Sequence, residues 1–215
     1  MLPELFLSRM ETMLGEEFQE FLAGYQMPPV PSLRVNLLKG TEQELRGKTD
    51  VLKEPVPWAA GGFYCAEEER PGKHPFHEAG VYYIQEASAM APAAYLDAAP
   101  GEKVLDLCAA PGGKSTQIAA ALRGEGLLIC NEIHPQRAKI LSENIERMGI
   151  RNALVVSHKP DFLAQRFPSY FDKILVDAPC SGEGMFRKKE EAVKEWSLEN
   201  VKMCADRQKE ILESA

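Results

Sequence analysis

The stretch VLDLCAAPGGKST, residues 104–116, constrains the fold of this chain more than any other. An apolar strand runs directly into Ala110-Pro111-Gly112-Gly113 and then into helix-forming residues. Glycines at such a junction let the backbone approach a ligand closely, and the start of a helix favours a carboxylate or phosphate. Around this junction helical and strand patterns alternate. The residue patterns predict helices over 86–96, 114–122, 135–148, 161–167 and 198–213, and strands over 103–109, 127–133, 153–157 and 172–177. Such alternation requires right-handed crossovers and a parallel sheet covered on both faces, so residues 81–215 are expected to form an α/β, Rossmann-like, doubly wound unit.

Residues 1–80 have a different texture. Apolar groups at helical spacing (Leu5, Leu14, Phe18, Phe21, Leu22) end at Pro28, Pro29 and Pro31. SLRVNLLKG alternates enough to be a strand, and TEQELRG is expected to be a short helix opening at Thr41. From Asp50 to Gly80 the segment is rich in proline and glycine and is expected to be irregular. Residues 1–80 therefore form a small α+β subdomain in this reading.

Charge limits the partners. Lys and Arg number 25 against 32 Asp and Glu, a net charge of −7, of which −5 falls on residues 1–80 and −2 on the rest. Non-specific coating of nucleic acid needs accumulated cations and is excluded, whereas a local basic groove is not. The cysteines (Cys65, Cys108, Cys130, Cys180, Cys204) are odd in number and form no C-x-x-C pair, which argues against a disulfide framework or a metal site and for reduced thiols in the cytoplasm. The opening MLPELFLSRM has no signal-peptide pattern, and no apolar run approaches the ~18 residues of a membrane span. A soluble cytoplasmic protein is the expectation.

In doubly wound sheets ligands bind beyond the carboxyl ends of the strands, which singles out the residues after each strand. The Ala110–Gly113 loop is not a P-loop, because the glycine required five residues before Gly113 is Cys108, and G-x-G-x-x-G is absent too. Glu132, 26 residues after Asp106, ends the second strand where an acid can accept hydrogen bonds from ribose hydroxyls. Asp161 follows the third strand and either faces an adenine amino group or caps a helix. FDKILVDAPCSGEG brings Asp177 and Cys180 to the end of the fourth strand, where a thiolate is placed to add to an electron-poor double bond. The other four cysteines are read as small buried thiols. Arg187 and Lys188 either hold a phosphate or form part of a charge-balanced face with Glu190 and Glu191. Arg70, Lys73, His74 and His77 lie among Phe76, Tyr82 and Tyr83, a mix that suits single-stranded RNA.

YYIQEASAM, VLDLCAAPGGKST, NEIHPQR and FDKILVDAPCSGEGMFRK, with LRVNLLK and RPGKHPFHEAG before them, resemble the Nol/Nop/Sun family of S-adenosylmethionine-dependent RNA 5-methylcytosine methyltransferases, and most closely its bacterial RsmF-like branch. The resemblance implies methylation of small-subunit ribosomal RNA, with residues 1–80 as an RNA-recognition subdomain. It implies S-adenosylmethionine as cofactor, held by Cys108, Ala109, Ala110, Pro111, Gly112, Gly113 and Lys114 around its methionine part and by Glu132 at the ribose. Asp161, near the adenine, matches only approximately, because HKPDF departs from the common pattern. Asp177 is implied beside both cofactor and cytosine, and Asp177, Cys180 and Lys114 are the catalytic candidates, with Arg187 and Lys188 on the RNA.

Members of this family use two cysteines. One matches Cys180 and is implicated in product release, and the nucleophile belongs to a Thr-Cys motif on the following strand. This sequence contains no Thr-Cys pair, and Cys204 in VKMCADRQ does not match one. The chain is therefore expected to be the amino-terminal part of such an enzyme, inactive by itself. Two alternatives stay open: a methyltransferase that uses Cys180 as nucleophile, and a cofactor- or RNA-binding module without turnover. A sheet ending at the fourth strand would leave Ile174, Leu175 and Val176 on an apolar edge, which invites self-association.

Overall fold

The computed structural model describes residues 2–65, 68 and 70–215. In chain order the described helices are α1 (Glu4–Leu14), α2 (Phe18–Gln26), α3 (Glu42–Arg46), α4 (Pro75–Glu78), α5 (Ala87–Leu96), α6 (Gly113–Leu122), α7 (Pro135–Arg147), α8 (Pro160–Arg166), α9 (Glu190–Glu195) and α10 (Leu198–Glu213). The strands are β1 (Ser32–Val35), β2 (Leu52–Pro55), β3 (Gly62–Cys65), β4 (Tyr82–Ile84), β5 (Lys103–Asp106), β6 (Leu127–Asn131), β7 (Ala153–Val156) and β8 (Lys173–Leu175). They fall into two compact units. Val30–Ala178 with Ile211–Ala215 make the larger, and the segment up to Pro29 with Pro179–Glu210 makes the smaller.

The larger unit contains two sheets. In the first, β2-β3-β1-β4, every pairing is antiparallel, with Arg34 of β1 opposite Gly62 of β3 and Tyr83 of β4. Strand alternation sends Leu33 and Val35 into a cluster with Leu45, Val51, Leu52, Phe63 and Tyr82, and sends Ser32 and Arg34 to the other face. All four β1 residues are nevertheless buried, so the polar face is covered as well. β2 and β3 stand inside the run from Asp50 to Gly80 expected to be irregular, and β4 follows it where no strand was expected. Each is only three or four residues long, so its pairing with a neighbour, more than its own pattern, makes it a strand.

Thr41 opens α3 with a reciprocal cap. Its hydroxyl accepts from Glu44 N at 3.2 Å and its own amide donates to Glu44 Oε2 at 2.7 Å, which holds the Glu44 carboxyl below its ordinary range. Thr41→Ala is expected to lower the melting temperature by about 2–3 °C, read by thermal denaturation.

The second sheet is parallel throughout, in the order β7-β6-β5-β8. On one face Val104, Leu128 and Cys130 pack with Ala93 of α5, Ile118, Ala119 and Leu122 of α6, and Leu141 and Ile145 of α7. On the other, Leu105, Leu107 and Ile129 meet Leu163 of α8, Phe167, Phe171 and Ile211. This is the doubly wound arrangement expected from the sequence. β8 is an edge strand of three residues, and Ile174, Leu175 and Val176 have their side chains buried or half-buried in these clusters. What the edge leaves unpaired is backbone.

The smaller unit is held by aromatic rings. Phe6 lies 5.1 Å from Phe186 and 5.7 Å from Trp196 between ring centroids, with Phe21 and Tyr25 also against it. Trp196 Nε1 donates to Glu183 Oε1 at 2.8 Å. Among the described residues, no helix is long and apolar enough to cross a membrane.

Candidate active site

Numbered within the parallel sheet, the strands run third, second, first, fourth, so the strand order reverses between β5 and β8. Ligands of doubly wound sheets bind at that switch point, outside the carboxyl ends of the strands. The loop from Leu107 to Gly112 leaves β5 there. Its Leu107 amide donates to Leu175 O of β8 at 2.9 Å and its Ala109 amide to Asn131 O of β6 at 2.8 Å, so the loop spans both neighbours of β5. Asn131, fully buried, donates to Leu107 O and His158 O and accepts from His158 N, tying the ends of β6 and β7 to the same loop.

The loop turns at a cis Ala110–Pro111 bond and enters α6 through Gly112, whose φ of +112° disfavours any side chain. A Cβ at Gly112 would also stand 3.1 Å from Leu141 Cδ1. Helix α7 holds the outer side of the turn: Asn144 Nδ2 donates to Pro111 O at 2.8 Å and Arg137 Nη2 to Ala110 O at 2.9 Å. From the first turn of α6, Lys114 Nζ reaches Asp177 Oδ2 at 2.6 Å, closing the gap between the β5 and β8 ends. Asp177 is half exposed there.

Asp106, the last residue of β5, is almost completely buried. Its Oδ2 accepts from Ser115 Oγ at 2.7 Å, while Oδ1 has no hydrogen-bond partner among the described residues. Burial pushes its carboxyl up to about 6, against the opposing pull of the Ser115 hydrogen bond and the Lys114 charge.

Residues 93–215 match the model of the 16S rRNA methyltransferase RsmB/F family, and residues 2–87 match the N-terminal domain of 16S rRNA methyltransferase RsmF. The chain belongs to the RsmB/F family. The ribosomal RNA small subunit methyltransferase F of Vibrio cholerae is 41% identical over 224 residues, covering all of this chain and 47% of that protein. The chain thus spans about half the length of the curated relatives it matches. A Pyrococcus horikoshii methyltransferase homologue of known structure aligns with 99% of this chain and 68% of its own, at 31% identity and a TM-score of 0.83. NSun6 from the same organism, solved with SFG, aligns with 99% of this chain and 79% of its own at a TM-score of 0.83; at 20% identity that likeness speaks to the fold alone.

The remaining residues singled out in this RsmB/F chain divide by location. Glu132, just beyond β6, is buried, with Oε1 accepting from His134 N at 3.0 Å and Oε2 paired to Arg137 Nη1 at 3.1 Å. Asp161 lies exposed in the first turn of α8 and does not cap it; the helix opens at Pro160 with Lys159 before it. Beside it Phe162 stacks on His158 with centroids 4.4 Å apart. Cys108 is half-buried, and burial, with Asp106, Glu132 and Asp177 behind it, pushes its thiol up to about 11, so it is protonated at neutral pH. The Cys130 thiol is pushed up further by burial, so both sulfurs are held as thiols at neutral pH.

Cys180 is exposed and belongs, with Arg187 and Lys188, to the smaller unit. There Arg187 Nη1 donates to Gly24 O at 2.9 Å, so this guanidinium also holds the end of α2. Sequence reasoning missed Asn131, Arg137, Asn144 and Ser115, which shape the loop from other elements. Arg137 sits in the quoted NEIHPQR, but only the fold turns it back onto Ala110. Among the described residues, no group of three or more His, Cys, Asp or Glu side chains could hold a metal ion.

Proposed function

We propose that this chain is the cofactor-binding part of an S-adenosylmethionine-dependent methyltransferase that methylates carbon 5 of a cytosine in small-subunit ribosomal RNA. One observation carries the reading: the CAAPGG loop and Asp177 flank the switch point of the sheet and are bridged there by Lys114. The residues suit the cofactor. Asp106 presents a buried carboxylate oxygen without a partner, fitted to an ammonium group, and Gly112 and Gly113 leave the start of α6 open to a carboxylate. Glu132, held in place by Arg137, is the acid for the ribose hydroxyls, and Asp161 with Phe162 stands at the adenine end.

The bound cofactor supplies an electrophilic methyl group. The target ring must be made nucleophilic: a thiolate bonds to carbon 6, carbon 5 takes the methyl, and loss of the carbon 5 proton expels the thiolate. Asp177 hydrogen-bonds at nitrogen 3 of the activated ring. The thiolate comes from a Thr-Cys pair, which these 215 residues do not contain, while Cys180 serves product release. Arg187 and Lys188 hold a phosphate of the RNA, whose target base is cheapest to present where it is unpaired.

Titration calorimetry on the 215-residue chain is expected to give one S-adenosylmethionine bound per chain, weakened about tenfold by Asp177→Asn. Methyl transfer to RNA by the same chain is expected to be absent. Transfer by this chain would assign the nucleophile to Cys180 instead, and failure to bind S-adenosylmethionine would overturn the reading.

A further inference from the structure

Arg34 is 1% exposed, yet no described carboxylate is within ion-pair distance of it. Its partners are neutral: Nε donates to Gln85 Oε1 at 3.2 Å, and Nη2 donates to Thr116 Oγ1 at 2.7 Å and Gly113 O at 3.2 Å. Burial lowers its pKa to about 10, so the guanidinium remains charged at neutral pH. A buried cation satisfied only by dipoles carries an uncompensated desolvation cost.

Position gives this charge a use. Gly113 is the first residue of α6, so the guanidinium lies against the first turn of the helix whose open end faces the Ala110–Gly113 loop. The helix dipole and the Arg34 charge therefore add at that end, and both favour an anion there. Asp106 and Asp177 supply negative charge on the β5 and β8 sides of the loop. Lys114 already pairs with Asp177, so the charges left at the loop without an ion-pair partner among the described residues are the Arg34 cation and the Asp106 carboxylate, a pattern suited to a zwitterionic amino-acid group.

We propose that Arg34 is a positioning residue that makes the loop selective for a ligand bearing a carboxylate, which acts as the counter-charge that the described residues do not supply. This rests on the reading of the site as a binder of S-adenosylmethionine. The guanidinium does so through its field and by holding the Gly113 carbonyl, without touching the reacting atoms.

Decarboxylated S-adenosylmethionine keeps the ammonium, ribose and adenine and lacks only the carboxylate, so the ratio of the two affinities reads the proposal. By calorimetry the wild type is expected to favour S-adenosylmethionine at least about tenfold; Arg34→Met collapses that preference to within about twofold, and Arg34→Lys keeps most of it. Equal loss for both ligands in Arg34→Met would mean that Arg34 merely supports the fold, and would overturn the proposal. An unchanged ratio would do the same. Should Arg34→Met fail to fold by circular dichroism, Gln85→Glu supplies an internal counter-charge to Nε and is expected to reduce the ratio; an unreduced ratio there overturns the proposal. Wild type that binds neither ligand removes the cofactor reading itself, whereas wild type that binds both equally removes only the role of Arg34.

Discussion

Gly80→Ala is expected to lower the melting temperature by about 10 °C or to prevent folding, a loss on the order of 4 kcal/mol. Gly80 has φ +64°, and a Cβ there would lie 2.0 Å from the Arg147 carbonyl oxygen and 2.8 Å from its carbon. Both atoms are backbone at the end of α7, so no rotamer change relieves the overlap. The junction is stitched from several directions. Asn36 Nδ2 donates to Gly80 O and Met148 O, each at 2.8 Å, and Lys39 Nζ donates to Ala79 O and Arg147 O, each at 2.7 Å. Pushing α7 away would break these bonds and displace the helix whose Arg137 and Asn144 hold the Ala110–Gly113 loop. Gly101→Ala is the control: its φ is +91° but nothing stands within 4 Å of the added carbon, so only conformational strain of about 1–2 kcal/mol is expected. Melting temperatures of the two variants within about 2 °C of each other would refute the close approach at Gly80.

Asp106→Asn is expected to act in opposite directions on stability and on binding. The folded carboxyl titrates at about 6 against an ordinary 3.8, so between those values the folded protein holds a proton that the unfolded chain has released. Its contribution to stability is therefore fully present below 3.8 and lost as pH rises through about 6, a difference of roughly 3 kcal/mol. Asparagine removes that penalty and keeps an oxygen for the Ser115 hydroxyl. At pH 7.5 the variant should melt about 6–12 °C above the wild type, with the advantage shrinking as pH is lowered towards 4. A constant difference across that window would show that the charge of Asp106 is not the cause. Binding moves the other way: without a carboxylate for the ammonium, affinity for S-adenosylhomocysteine should fall about 10- to 100-fold. Retained affinity would leave the unpartnered Oδ1 without a role.

Much of the site was legible in local order. VLDLCAAPGGKST had to be strand, turn and helix, because the apolar run, the glycines and the small helix-forming residues each suit only their own stretch. Asp106, Glu132, Asp161 and Asp177 stand at or just beyond the ends of β5, β6, β7 and β8, since strand ends can be read from where apolar runs stop. β2, β3 and β4 were not legible, because three or four residues become a strand only when a partner lies alongside. The side chains that secure the loop were hidden for a related reason: Arg137 and Asn144 look like ordinary exposed residues of a polar helix until α7 is laid against Ala110 and Pro111.

By itself the sequence determined which segments alternate and therefore that the second sheet is parallel and covered on both faces. It also placed the loop and the acids at one edge of that sheet, because side-chain periodicity and turn chemistry are local properties. Only tertiary structure decided that Lys114 meets Asp177, that Asp106 is sealed with one oxygen unpartnered, and that the polar face of β1 is buried. Alternation in LRVN says that Arg34 and Leu33 point to opposite faces; it cannot say that the face bearing Arg34 is covered too. Burial turns that arginine from a solvated surface group into a charge without a counter-ion among the described residues, and burial depends on which segments distant in sequence come to lie against it.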